Sequence, residues 1–160
     1  MKKKDLVFIA VCAIVLAMFF VVEPLNKWFM EWSKAGDWRY FVFAFLKLWL
    51  LATVGECIGL RISKGVYNQK GFGVLPRALV WGILGIGITI AMTVFSSGSF
   101  KVLNYFGLDI APASISSEAF GIQLIYAITV SVLMNTFFAP VFMTVHKITD
   151  THILNTGGTL

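Results

Sequence analysis

Four apolar runs spread along 160 residues leave this chain few folds. They lie at about 6–25, 40–60, 76–97 and 119–145. Each reaches the roughly 20 residues that a helix needs to cross hydrocarbon. Lipid offers no partner to backbone N–H and C=O groups, so such runs close their hydrogen bonds internally, as helices. Ten-residue alternating segments of the kind that build outer-membrane barrels are absent from the sequence. Only 13% of the residues are charged and 58% are hydrophobic. A soluble domain has about a quarter of its residues charged, so this chain lacks the polar surface to cover a core in water. The expected fold is an all-α integral membrane protein, a single domain over 1–160 with four transmembrane helices.

The opening Met-Lys-Lys-Lys and the apolar run after it have the outline of a secretory signal. The run is longer than a signal core, and Val-Val-Glu-Pro follows it in place of an Ala-x-Ala site. The first run is therefore expected to stay as a span. Orientation follows from the basic residues. With the N terminus inside, the cytoplasmic side holds Lys2, Lys3, Lys4, Arg61, Lys64, Lys70, Arg77 and Lys147, against Lys27, Lys34, Arg39 and Lys101 outside. That excess places both termini in the cytoplasm. The connection 61–77 carries four positive charges and no acid, which suits contact with anionic headgroups. The net charge of +5 thus belongs to topology, and no nucleic-acid partner is expected.

Between the first two spans, EPLNKWFMEWSKAGDW puts Trp28, Phe29 and Trp32 on one helical side. An amphipathic segment over about 25–35, lying at the outer interface, is expected. The third connection, from Gly98, is rich in turn formers, and Ser117 with Glu118 has the form of a cap for the fourth helix. Cys12 and Cys57 sit inside spans and form no metal or redox motif.

Small and hydroxylated residues recur along three of the spans. The third carries Ala78, Gly82, Gly85, Thr89, Thr93 and Ser96; the fourth carries Gln123, Ala127, Ser131, Asn135 and Ala139; the second carries Ala52, Gly55, Glu56 and Gly59. Helices in lipid associate by close backbone approach along such faces. Gly55, Gly59, Gly82, Gly85, Ala127 and Ala139 are the packing candidates, and the first span, lacking a stripe, is expected to be peripheral. Pro140 frees the carbonyl four residues back and marks a hinge.

The second span also holds two charges. Glu56 and Lys47 are nine residues apart, half a turn round the helix, so they cannot pair with one another. An ionisable group at membrane depth marks a functional position or a structural hydrogen bond. Glu56, Lys47, Thr89, Thr93, Ser131 and Asn135 are the candidates for pore lining or interhelical contact. His146, Asp150 and His152 form a loose H-x3-D-x-H group without further metal-type ligands, and no metal or cofactor is expected.

Gly55-Glu56 near the end of an apolar helix, the connection leading to Arg77 and GILGIG, and Asn135-Thr-Phe-Phe-Ala-Pro140 together resemble the Mpv-type family of peroxisomal and mitochondrial inner membrane proteins. The resemblance covers roughly 48–147, with Glu56 where the family pattern has Asp. It implies a four-helix bundle serving as a small regulated pore. The basic ends suit a bacterial inner membrane as well as an organelle membrane. No nucleophile–base pair, phosphate loop or metal motif stands in the sequence, so an enzyme is not expected. Two functions stay open: a pore or solute pathway lined by the polar stripes, and a non-conducting structural or assembly protein whose stripes pack against a second copy or another membrane protein.

Overall fold

The computed structural model describes residues 3–160; Met1 and Lys2, the start of the basic N-terminal run, lie outside the described residues. These residues form helices and no strand. In order they are α1 (Lys3–Val21), α2 (Glu23–Ser33), α3 (Trp38–Lys64), α4 (Val74–Tyr105), a 3-10 turn (Ile115–Ser117), α5 (Phe120–Leu133), a π turn (Met134–Phe138) and α6 (Ala139–Asn155). Four stretches are long and apolar enough to cross a membrane: Lys3–Val21, Trp38–Lys64, Val74–Tyr105 and Phe120–Asn155. The last is the expected fourth span, carried through the π turn.

The chain divides into two compact units, 1–43 and 44–160. In the first, α1 buries none of its residues. The helix breaks at Val22, and α2 restarts with Pro24 in its first turn, a position where the missing N–H costs nothing. Asn26 Nδ2 donates to the Phe19 carbonyl at 3.0 Å, occupying one acceptor left at the end of α1. The amphipathic segment therefore runs over Glu23–Ser33, two residues earlier than 25–35. Its aromatic side forms a connected set: Trp28 and Trp32 lie 5.3 Å apart, and Phe29 meets Phe43 edge-on at 5.1 Å. Asp37 opens α3, its Oδ1 accepting from the Arg39 backbone N–H at 2.9 Å.

In the second unit, α3 and α4 approach closely through the first half of each. A Cβ on Gly85 would stand 2.7 Å from the Ala44 carbonyl oxygen and 2.8 Å from Leu48 Cβ. One on Gly82 would fall within 3.0 Å of the Phe45 ring. The α4 stripe thus packs against α3 through its first half, Ala78, Gly82 and Gly85, all buried. Gly55 and Gly59 need correction as packing residues: an added Cβ at either meets nothing within 4 Å. On α3 the contact is made by Ala44, Phe45 and Leu48, with Glu56 further on reaching Arg77; Gly55 and Gly59 share that helical bearing but stand where α4 leaves open space.

The third span, α4, also runs further than 97. It continues to Tyr105 because Ser99, Phe100 and Leu103 keep the helical period of its buried side. Phe100 and Leu103 pack with Ile110, and Phe100 stacks on Tyr126 of α5 at 4.4 Å. Gly107, at φ 84°, then ends the helix, with Leu108 N–H returning to the Leu103 carbonyl. Ser117 does not cap α5. The residue before that helix is Ala119, and the Ser117 hydroxyl donates instead to the Ser114 carbonyl.

Pro140 sits in the first turn of α6, directly after the π turn. The wider turn absorbs the residue whose N–H is missing, so the expected hinge is a change of helical pitch within one continuous span. At the far end of α6, Gly157 and Gly158 close a Schellman turn, Gly158 N–H donating to the Ile153 carbonyl at 2.8 Å. This turn lies against the connection between α3 and α4. A Cβ on Gly73 (φ 69°) would stand 2.6 Å from Ile153 Cγ2 and 3.0 Å from Gly158 Cα.

Candidate functional site

Glu56, Arg77, His146 and Asp150 gather at one place. Glu56 projects from α3 toward α4, where Arg77 and Trp81 stand four residues apart on one side. Facing them, α6 presents Phe142, His146 and Asp150, again at four-residue steps. Arg77 is only 5% exposed. Its Nε donates to the Phe72 carbonyl at 2.7 Å, and its guanidinium lies 4.5 Å from the Phe72 ring centroid. Nη1 donates to Glu56 Oε2 at 3.0 Å and forms an ion pair with Asp150 Oδ1. That Asp150 oxygen is buried and lacks a well-aligned hydrogen bond, so charge attraction to Arg77 holds it.

The other Glu56 oxygen is engaged too. Trp81 Nε1 donates to Oε1 at 3.3 Å, and His146 Nε2 lies 3.5 Å from the same atom. The Trp81 and His146 rings are 4.4 Å apart, and Phe142 completes the stack at 6.2 Å from Trp81. A carboxylate taken out of water needs such partners, since an unpaired buried charge costs several kcal/mol.

Two hollows flank this layer. On one side a groove of about 620 Å³ is bordered by α4, α5, the π turn and the start of α6, with Ser96, Tyr126, Ser131, Asn135 and Phe142 among its walls. On the other side a cleft of about 250 Å³ is lined by Glu56, Arg77, Asp150, Ser63, Lys64 and Gln69. The hollows share no lining residue, and Trp81 and His146 border neither.

The sequence candidates are only partly brought together. Ser131 and Asn135 border the groove, as do Ala127 and Ala139, where a close helix contact had been expected. The α4–α5 contact runs one residue away from that stripe, through buried Val130 and through Tyr126, whose hydroxyl donates to the Ser96 carbonyl at 3.3 Å. Thr89 and Thr93 do not join the groove; each hydroxyl donates to the carbonyl four residues back in its own helix. Asn135 Nδ2 likewise donates to the Ser131 carbonyl at 2.8 Å. Lys47 is exposed and belongs to neither hollow. His146 and Asp150 join the cluster, while His152 is exposed.

Arg77 and Trp81 are the members that the sequence reading passed over. Arg77 had been counted only as a topology marker. A usable signal was present: Arg77-x3-Trp81 and His146-x3-Asp150 each place two polar groups on one side of an apolar helix. Comparison with family models, with functionally described proteins and with solved structures finds no match for this chain.

Proposed function

We propose that this chain is a small multi-pass membrane protein that provides a path for a small solute or ion, held closed at the end bearing Arg61–Arg77. One observation carries the reading. The groove and the cleft lie on opposite sides of a single layer built from Phe142, Trp81, His146 and the Glu56–Arg77–Asp150 cluster. Rings and ion pairs that fill the space between two hollows form a gate that can open by a change in α6, and the π turn and Pro140 supply the softer point in that span. The positive-inside pattern puts the gate at the cytoplasmic mouth, beside a basic connection suited to anionic headgroups. The Mpv-type resemblance points the same way.

The test is release of small fluorescent and ionic solutes from proteoliposomes. Trp81→Ala should raise flux above that of the wild-type chain, because it empties the middle of the layer. A second reading, a non-conducting assembly or partner-binding protein, is favoured by the complete engagement of Glu56, whose two oxygens meet Arg77, Trp81 and His146. No flux from folded wild type or from folded Trp81→Ala would select that reading and reject the pathway.

A further inference from the structure

We propose that the Glu56–Arg77–Asp150 cluster is a proton-binding site, with His146 carrying the proton against Glu56. The inference is independent of whether the chain conducts. It begins with a charge count. Two carboxylates, Glu56 and Asp150, share one guanidinium, that of Arg77, so the three groups together carry one uncompensated negative charge. Their side chains are 23%, 18% and 6% exposed, too little for water to offset that charge.

The positive charge that restores neutrality has to come from a neighbour, and His146 is placed to supply it. Its Nε2 is 3.5 Å from Glu56 Oε1, and a proton on that nitrogen turns the contact into a charge-assisted hydrogen bond. Its ring lies 4.4 Å from that of Trp81, whose π face favours the imidazolium over the neutral imidazole. The titratable and charged groups around His146 are Glu56 on α3, Arg77 on α4 and Asp150 one turn on in α6; Cys57 follows Glu56 in the chain. The α5 helix and the π turn bring none but Tyr126, which belongs to the groove. Lys147 and His152 are exposed on other sides of α6. Lys64 borders the same cleft as Glu56, Arg77 and Asp150.

The bound proton ties α6 to α3, so its uptake stabilises the fold. The sign follows: the folded state offers His146 a carboxylate partner that the unfolded chain lacks, so the added stability is present at low pH and lost as pH rises. The chain has two histidines, which makes the origin of such a response easy to assign.

The experiment is thermal unfolding of the purified full chain in detergent at about pH 5 and about pH 8. Wild type should melt several degrees higher at the acidic pH. His146→Gln should abolish the difference, and His152→Gln should keep it. Asp150→Asn removes the excess negative charge and should shrink the difference. Should His146→Gln fail to fold, the nitrogen resonances of 15N-labelled histidine in wild type, assigned through His152→Gln, give the answer directly. His146 should be doubly protonated at the acidic pH and lose one proton on the way to the basic one. Equal melting of wild type at both values, a difference that follows His152, or a neutral His146 at the acidic pH would each overturn the proposal.

Discussion

Trp81 Nε1 donates to Glu56 Oε1 at 3.3 Å, joining α4 to α3 through the same oxygen that faces His146. An indole N–H is a donor with no acceptor capacity, so this contact holds the carboxylate as an acceptor and fixes which way it points. Glu56 is therefore oriented from α4 twice, by Trp81 on one oxygen and by Arg77 on the other.

Removing Arg77 should be the most damaging single change in the cluster. Arg77→Ala leaves Glu56 and Asp150 without their shared cation, a loss of about 3–5 kcal/mol. Arg77→Lys restores the charge but not the fork that reaches Glu56, Asp150 and the Phe72 carbonyl together, so it should recover only part of the stability. Trp81→Phe keeps a ring in the stack and removes one donor, at a cost of about 1 kcal/mol. Melting temperatures in detergent should fall in the order wild type, Trp81→Phe, Arg77→Lys, Arg77→Ala.

The glycines should separate into two groups. Gly85→Ala presses a methyl against the Ala44 backbone and Leu48, an overpacking of about 1–3 kcal/mol. Gly82→Ala meets only the movable Phe45 ring and should cost less. Gly55→Ala and Gly59→Ala enter open space and should stabilise α3 by about 0.5–1 kcal/mol through helix propensity. A scan showing equal loss at all four positions would contradict this α3–α4 contact.

The helices were legible in the sequence because continuous apolar runs of their length have few other uses. Their ends and faces were less so. Ser96-Ser97-Gly98-Ser99 has the composition of a turn, yet Ser99 is fully buried and its hydroxyl donates to the Phe95 carbonyl, leaving α4 unbroken. Small residues at Gly55 and Gly59 permit close approach without requiring it, and the space beside both is open. Arg77 stands beside a proline in a basic connection, where a lone charge reads as topology. Only folding brings it to carboxylates 21 positions earlier and far along the next span.

At the start of α3 a pH response of opposite sign is expected. The Arg39 guanidinium beside Asp37 holds that carboxyl below the usual aspartate range, through a side-chain hydrogen bond first and a backbone N–H second. A depressed carboxyl favours the folded turn above its unfolded value, and that contribution is lost as pH falls through the folded one. The Asp37 carboxyl carbon, followed by NMR, should therefore titrate below the ordinary 3.8. Arg39→Gln should move its midpoint upward.

Gly73 should tolerate no side chain. Gly73→Ala forces an L-residue to φ 69° and drives a methyl into Ile153 and Gly158. The C-terminal turn should then detach and become open to carboxypeptidase, in a digestion that leaves the wild-type tail largely intact. Gly157→Ala carries the left-handed strain without a clash, since nothing lies within 4 Å of its added Cβ, and should release the tail less.

The pairing of Glu56 with Arg77 also bears on the order in which the chain assembles as it is made. The two residues are 21 positions apart, on consecutive helices, and both leave the ribosome well before His146 and Asp150. A hairpin of α3 and α4 thus has its own counter-charge at hand, and can pair Glu56 with Arg77 without waiting for later sequence. Asp150 arrives last, and the guanidinium with which it pairs is then already made on α4. The α3–α4 hairpin is accordingly the seed of the second unit. The end of α6 that bears Asp150 is the piece that completes its contacts only against that hairpin.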